Sequence, residues 1–324
     1  MSIIDPRGRL IDYARISLTD RCNYRCVYCM PEEGVARLSH GGIMRYEEII
    51  WLARVLVSLG VRHIRFTGGE PLVRKGMPEF LLSFRKEFPD IRLSLTTNAS
   101  LLGEAAPVIA RARLSGINVS LDTVDPVKFS AVTRTGDIRD VFGGIEAAAS
   151  SGISPIKTNT VLMRGFNDAE LPEILNFAWS LGLIPRIIEF MPLNESLWAR
   201  DSFIGSDEIK SILNSLGDWK PEKTDSQYPR GPAKYFADRA TGRRVGIIEA
   251  VSNHFCESCN RLRITASGKF RACLFNNREI PLLGMVRARD RDALTRAITE
   301  GIGLKPAKWT QASDGDGNMS GIGG

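Results

Sequence analysis

No stretch of the 324 residues approaches the roughly 18 consecutive apolar positions of a membrane-spanning helix, so no membrane association is expected. The first residues, Met1-Ser-Ile-Ile-Asp-Pro-Arg, carry neither an apolar secretion core nor an Arg/Ser-rich transit pattern, and the expected location is cytoplasmic. Lysine and arginine number 43 against 37 aspartates and glutamates, well mixed, for a net charge of +6. The basic block of a nucleic-acid binder is missing. No G-x4-G-K-[ST] occurs, which counts against NTP hydrolysis but not against a nucleotide whose phosphates stay intact. Histidine is nearly absent: His40, His63 and His254 are the whole supply, none at a ligand spacing from the N-terminal cysteines. Cysteine is scarce too, yet all six fall in two triplets, at 22, 26 and 29 and at 256, 259 and 273. A disulfide framework suits small secreted domains; two triplets in a long chain read as metal chemistry in a reducing compartment.

What is present centres on Asp20–Pro31, where Cys22, Cys26 and Cys29 stand in a C-x3-C-x2-C spacing with Tyr28 before the third. A short loop lets three thiolates converge on one centre. A closed zinc site wants four ligands, and an ordinary four-iron cluster takes four cysteines. Three cysteines with no fourth nearby leave a metal corner open, where a substrate or cofactor can bind.

From about Tyr13 to Met191, β-branched runs alternate with helical patterns. Strands are expected at Tyr13–Leu18, Val61–Thr67, Ile91–Thr97, Ile117–Leu121, Pro155–Leu162 and Pro185–Phe190, with helices at Tyr46–Leu59, Pro78–Phe88, Leu101–Leu114, Val141–Ser151 and Glu170–Leu181. Gly60, Gly116, Gly152 and Gly182 each follow a helix, as a terminating glycine should. Six strand–helix units argue for an α/β fold, a partial (βα)6 TIM-like barrel of parallel strands over residues 1–192. A smaller mixed region, 193–324, is expected to close its mouth, with strand-like runs at Ala233–Ala237, Arg244–Glu249 and Leu262–Thr265 and a Ser267-Gly268 hairpin turn.

In parallel α/β sheets chemistry gathers at the C-terminal strand ends. Here those ends are polar or small: Thr67-Gly68-Gly69-Glu70-Pro71, Thr96-Thr97-Asn98, Ser120 and Asp122, Lys157 and Asn159, Glu189 and Met191. The glycines of Gly68-Gly69-Glu70-Pro71 would let a ligand approach the backbone closely. In the second triplet, Cys256-x2-Cys259-x13-Cys273, a zinc site completed by His254 and an iron–sulfur site stand level on spacing alone. Arg261 and Arg263, alternating on a strand, share a face and would grip a phosphate or purine beside the metal.

The cysteine spacing with its aromatic residue resembles the signature of radical S-adenosylmethionine enzymes. The flanks Arg15-Ile-Ser-Leu-Thr-Asp-Arg-Cys and Cys-Met-Pro, then Gly-Gly-Glu-Pro, Thr-Thr-Asn, Ile-Asn-Val-Ser-Leu-Asp, Ile-Ile-Glu-Phe-Met, the second triplet and the Met-Ser-x-Ile-Gly-Gly ending, resemble the GTP 3′,8-cyclase family of molybdenum-cofactor biosynthesis. The resemblance runs in order along nearly the whole chain; the loop after Cys29 looks shorter than usual and Ile280–Thr310 matches loosely. It implies two [4Fe-4S] clusters, on Cys22, Cys26 and Cys29 and on Cys256, Cys259 and Cys273. It also implies S-adenosylmethionine held by Tyr28, Gly69, Glu70, Ser120 and Met191, and GTP held by Arg15, Arg65, Thr96, Lys157, Arg261 and Arg263, with Arg186 as a further candidate. The implied reaction takes the 3′ hydrogen of GTP with a 5′-deoxyadenosyl radical and joins C3′ to C8. The product passes to cyclic pyranopterin monophosphate synthase, an external donor supplies the electron, and the state is a monomer or homodimer. The Gly323-Gly324 tail is expected to reach the active site. Two other readings remain: a peptide-modifying radical enzyme, which usually carries more C-terminal cysteines, and a non-catalytic metal or electron-transfer protein, which has no use for Gly-Gly-Glu-Pro.

Overall fold

The computed structural model describes residues 3–193, 200–222, 231–309 and 319–322, and in it each β-branched run of the first half becomes a parallel strand. β1 (Tyr13–Ser17), β2 (His63–Thr67), β3 (Arg92–Thr97), β4 (Ile117–Ser120), β5 (Ile156–Leu162) and β6 (Ile184–Glu189) lie side by side in that order. They are connected by α1 (Tyr46–Ser58), α2 (Met77–Glu87), α3 (Leu102–Arg111), α4 (Pro126–Thr133), α5 (Ile138–Ser150) and α6 (Leu171–Ser180). Strand and helix positions follow the sequence expectation, with one addition. A separate α4 precedes α5, opened by Asp125, whose carboxylate accepts from the Val127 and Lys128 N–H groups, and by Pro126 in the first turn. After α5 and α6 the chain turns through Gly152 (φ 75°) and Gly182 (φ 67°), conformations that side chains beyond glycine adopt rarely.

The second half comprises α7 (Ser206–Leu216), β7 (Trp219–Pro221), β8 (Lys234–Asp238), β9 (Arg244–Ile248), β10 (Arg261–Ile264), β11 (Lys269–Arg271), β12 (Ile280–Pro281), α8 (Leu283–Ala288) and α9 (Arg291–Gly303). Its strands build no sheet of their own. They extend both edges of the first six into one 12-stranded sheet of order β12-β11-β10-β1-β2-β3-β4-β5-β6-β9-β8-β7. β10 runs parallel to β1 and β9 parallel to β6, while β11, β12, β8 and β7 are antiparallel additions. The hairpin at Ser267-Gly268 forms as expected, with Gly268 at φ 72° between β10 and β11. The sheet is open between its end strands β12 and β7, giving a partial TIM-like barrel with a mixed C-terminal part.

Alternation along each strand sorts two faces. Ile16, Ile64, Phe66, Leu93, Leu95 and Val119 are buried in the core shared with the helices, where Phe66 meets Phe84 edge-on at 4.9 Å. Each such burial contributes about 1.5–3 kcal/mol. The opposite positions carry Tyr13 and Arg15, His63 and Arg65, Ser94 and Thr96, Asn118 and Ser120, Lys157 and Asn159, Arg186, and Arg261 and Arg263. Closed barrels fill that face with branched apolar side chains. A polar, cationic interior instead fits a polar occupant. Among the described residues no helix is long and apolar enough to cross a membrane.

Candidate active site

The first triplet follows directly from β1. Its loop is zipped to the strand beside it: Leu18 N–H donates to Thr67 O, Gly69 N–H to Thr19 O and Glu70 N–H to Arg21 O, each at 2.8 Å. On its other side Arg25 and Val27 N–H groups donate to Thr133 and Val132 at the end of α4, both at 2.9 Å, and Arg134 Nη1 reaches Arg25 O and Met30 O. Tyr28 donates its hydroxyl to the buried Asp122, whose other oxygen accepts from Val161 N–H. Burial holds that carboxyl up at about 6, against the opposing hydrogen bonds of Tyr28 and Val161.

The structure gives Gly68 and Gly69 a packing duty that the sequence does not announce. A Cβ on Gly69 would lie 2.3 Å from Arg21 O, and one on Gly68 2.7 Å from Thr19 O. Close approach of the cysteine loop by itself demands glycine at both positions. Glu70 is buried with its carboxylate accepting from Leu72 N–H, Thr97 Oγ1 and Asn98 N–H at 3.0, 2.8 and 2.6 Å. Burial raises its carboxyl to about 7 despite those bonds. It fastens the loop to the end of β3. Ser120 closes β4 and Met191 lies just past β6, so both stand at the strand ends that the cysteine loop overhangs.

All six cysteines are free and half-buried. Burial pushes the Cys22 thiol to about 11, Cys29 to about 12 and Cys26 well above the ordinary range, with repulsion from Glu70 adding to it at Cys22 and from neighbouring thiolates at Cys26 and Cys29. Three such thiols become stable thiolates when positive charge occupies the centre of the loop, which suits an iron–sulfur cluster. Among the described residues no set of three or more His, Cys, Asp or Glu side chains is placed to hold a single metal ion.

The second triplet lies at the other end of the barrel. β10 pairs parallel with β1 in the register Tyr13–Arg261 and Arg15–Arg263, so Cys256 and Cys259 precede the strand where β1 begins, while Cys22 follows where β1 ends. β11 returns antiparallel and delivers Cys273 to the same end as Cys256 and Cys259. The five residues of β1 therefore separate the two sites by roughly 16 Å. Asn260 pins the junction, its O accepting from Tyr13 N–H and its Nδ2 donating to Asp12 at 2.6 Å. His254, the candidate fourth ligand, directs Nδ1 to Ala250 O at 3.1 Å and meets Trp309 edge-on. Burial alone would raise the Cys259 thiol, but the charges of Arg261 and Lys305 bring it down to about 6. Arg261 Nη2 stands 3.6 Å from Cys259 Sγ. The donor set fits a cluster, and Arg261 and Lys305 surround it with positive charge.

Between the two ends lies the cationic face. Arg15 has Arg65 on one neighbouring strand and Arg263 on the other. Arg65 donates to Tyr13 Oη at 2.6 Å, Leu95 O at 3.0 Å and Thr96 Oγ1 at 3.3 Å. Arg186 donates to Asn159 Oδ1 at 2.6 Å, and Lys157 to Tyr235 Oη at 3.2 Å. Burial, with Arg261 close by, takes the Arg263 guanidinium down to about 10. Burial and the surrounding cations hold His63 neutral, at about 2. All six expected substrate contacts thus fall on one lining.

Sequence reasoning missed several members. Tyr13 and His63 stack at 4.1 Å inside this lining, and their period-2 alternation with Arg15 and Arg65 was a readable signal. Buried Lys305 donates to Arg261 O at 2.7 Å and Ala272 O at 2.8 Å, and no local pattern announces it. Arg9, paired with Asp5, reaches Cys256 O at 2.7 Å from the far N-terminus. The Gly323-Gly324 tail lies outside the described residues.

An open parallel barrel whose first strand ends in a C-x3-C-x2-C loop defines a radical S-adenosylmethionine protein, and residues 16–178 match the Radical SAM superfamily. Residues 184–311 match Molybdenum Cofactor Synthesis C. The fold agrees with that of Streptococcus suis SuiB at a TM-score of 0.63 and 13% identity, covering 91% of this chain and 69% of that one. The GTP 3′,8-cyclase of Thermodesulfovibrio yellowstonii is 41% identical over 323 residues, 99% of each chain. That of Peptoclostridium acidaminophilum is 43% identical over 287 residues, 88% of this chain and 87% of its own. The chain belongs to the GTP 3′,8-cyclase family.

Proposed function

We propose that this protein cyclises GTP to (8S)-3′,8-cyclo-7,8-dihydroguanosine 5′-triphosphate, the first step of molybdenum cofactor biosynthesis. The observation that carries this reading is one strand, β1, with a cysteine triplet at either end and a cationic lining between. The protein is a radical S-adenosylmethionine enzyme with two [4Fe-4S] clusters. When bound, the first cluster and S-adenosylmethionine supply the radical that removes the 3′ hydrogen.

The chain's own residues position and shield the reactants. Cys22, Cys26 and Cys29 hold the first cluster, and Tyr28, Gly69, Glu70, Ser120 and Met191 surround the S-adenosylmethionine. In this reading Glu70 and Gly69 act by fixing the loop, and Asp122 fixes Tyr28. Cys256, Cys259 and Cys273 would hold the second cluster, at the end of β1 where Arg261 and Arg263 supply contacts to GTP. Arg15, Arg65, Thr96, Lys157, Arg261 and Arg263 grip GTP, joined by Arg186. Two reactants fixed at opposite ends of one barrel meet at near-attack distance with water excluded. Residues 1–192 form the radical S-adenosylmethionine barrel, which also supplies most of the GTP contacts, and 193–324 carry the second cluster's cysteines and the remaining substrate contacts Arg261 and Arg263. The product goes to cyclic pyranopterin monophosphate synthase, an external donor supplies the electron, and the protein works in the cytoplasm as a monomer or homodimer.

Anaerobic reconstitution followed by reductant, S-adenosylmethionine and GTP tests this. The expected result is about eight irons per chain with 5′-deoxyadenosine and a cyclised nucleotide by mass spectrometry. Deoxyadenosine with GTP unchanged would reassign the substrate. Removing Gly323 and Gly324 should spare both clusters and lower cyclisation; full activity would make the tail dispensable.

A further inference from the structure

We infer that Tyr235, which belongs to none of the motifs above, is a phosphate-binding residue that donates its hydroxyl proton to a phosphate oxygen of the nucleotide; this rests on the GTP reading. Tyr235 lies on β8, in the C-terminal half, and pairs with Gly246 of β9, which pairs in turn with Arg186 of β6. Gly246 leaves the space for this arrangement: a Cβ there would stand 2.9 Å from Arg186 Cγ and 3.1 Å from Tyr235 Cε1. The ring therefore crosses the glycine and delivers its hydroxyl into the cationic lining.

There the phenol oxygen accepts from two cations. Lys157 Nζ donates at 3.2 Å, and the Arg186 guanidinium donates as well. With both lone pairs of the oxygen so used, the O–H proton is what the group has left to offer. Beside it the buried Arg186 Nε has no hydrogen-bond partner. Burial alone would raise the phenol's pKa, but Arg186 and Lys157 lower it on balance, so the O–H is a strengthened donor. Two cations and an acidified hydroxyl, with Arg186 donating only to neutral oxygens, those of Asn159 and of the phenol itself, among the described contacts, form a site for an oxyanion with several acceptor oxygens. In the proposed substrate that means the phosphate tail, not the neutral guanine or ribose.

The test uses reconstituted holoenzyme without reductant, so that binding is read apart from turnover, and compares GTP with guanosine by calorimetry. Tyr235→Phe keeps the ring across Gly246 and removes only the hydroxyl. Its GTP affinity should fall about tenfold while guanosine and S-adenosylmethionine bind as before. An unchanged GTP affinity overturns the inference and leaves the substrate reading intact. Equal losses for GTP and guanosine overturn it in favour of a scaffolding role. Wild-type protein that binds guanosine as tightly as GTP overturns the inference and the triphosphate reading together.

Discussion

The two cysteine triplets use the same residue in opposite electrostatic settings. At the C-terminal end of β1 the thiols are all pushed up, by burial first and then by neighbouring negative charge. The loop is held mainly by backbone hydrogen bonds to β2's extension and to α4, with Arg134 bracing it from outside the triplet. At the N-terminal end burial and the neighbouring thiolates raise Cys256 as well, but Cys259 is pulled down to about 6, with Arg261 and Lys305 prevailing over its burial, and buried cationic side chains do the holding. The first end attracts a cation and has little to offer an anion. The second is already positively charged, so after its cluster is in place it still favours an anion. One barrel thus distinguishes its two ligands by the charge left over at each end.

The largest test is to remove a ligand from either end. Cys26→Ala should abolish 5′-deoxyadenosine formation, whereas Cys273→Ala should retain it and lose the cyclised nucleotide, both read by mass spectrometry. Equal loss of both products in both variants would break the comparison. Next, Arg263→Ala and Arg261→Ala should each weaken GTP about tenfold to a hundredfold, as expected for lost charge-assisted bonds, with S-adenosylmethionine affinity unchanged by calorimetry. Unchanged GTP affinity in both would end their assignment. Lys305→Met leaves two buried carbonyls without a donor, at about 1–3 kcal/mol, seen as a lower unfolding midpoint. Iron should fall toward half while the first cluster's signal persists. The smallest effect belongs to the neutral end: Thr97→Val removes one of the bonds to Glu70, about 1 kcal/mol, with iron content unchanged.

Much of this was legible from residues alone. The barrel strands and their helices announce themselves through period-2 and period-3.6 patterns, and the cysteines through spacing. The cap at Asp125-Pro126 was equally readable, and it marks the one helix of the first half that the periodicity left out. What was not legible is non-local. Nothing in Arg261–Ile264 says that it will lie beside β1, or in Arg244–Ile248 that it will lie beside β6, because those pairings depend on the sheet edges being vacant. Glycine at 68 and 69 is visible in sequence, but the reason is not, since Thr19 and Arg21 supply it from another segment. Lys305 has no pattern at all; it matters only because α9 returns the chain to the base of β10.

β1 also acts as a ruler. Cys22 lies beyond one end of it, Asn260 is tied to the other, and Tyr13 and Arg15 project from between. One inserted residue would lengthen the gap between the two metal stations and turn half of its side chains toward the helices. Insertions and deletions should therefore be barred from these five positions, while the stretch between Pro31 and Met44, which carries no strand, is free to change in length.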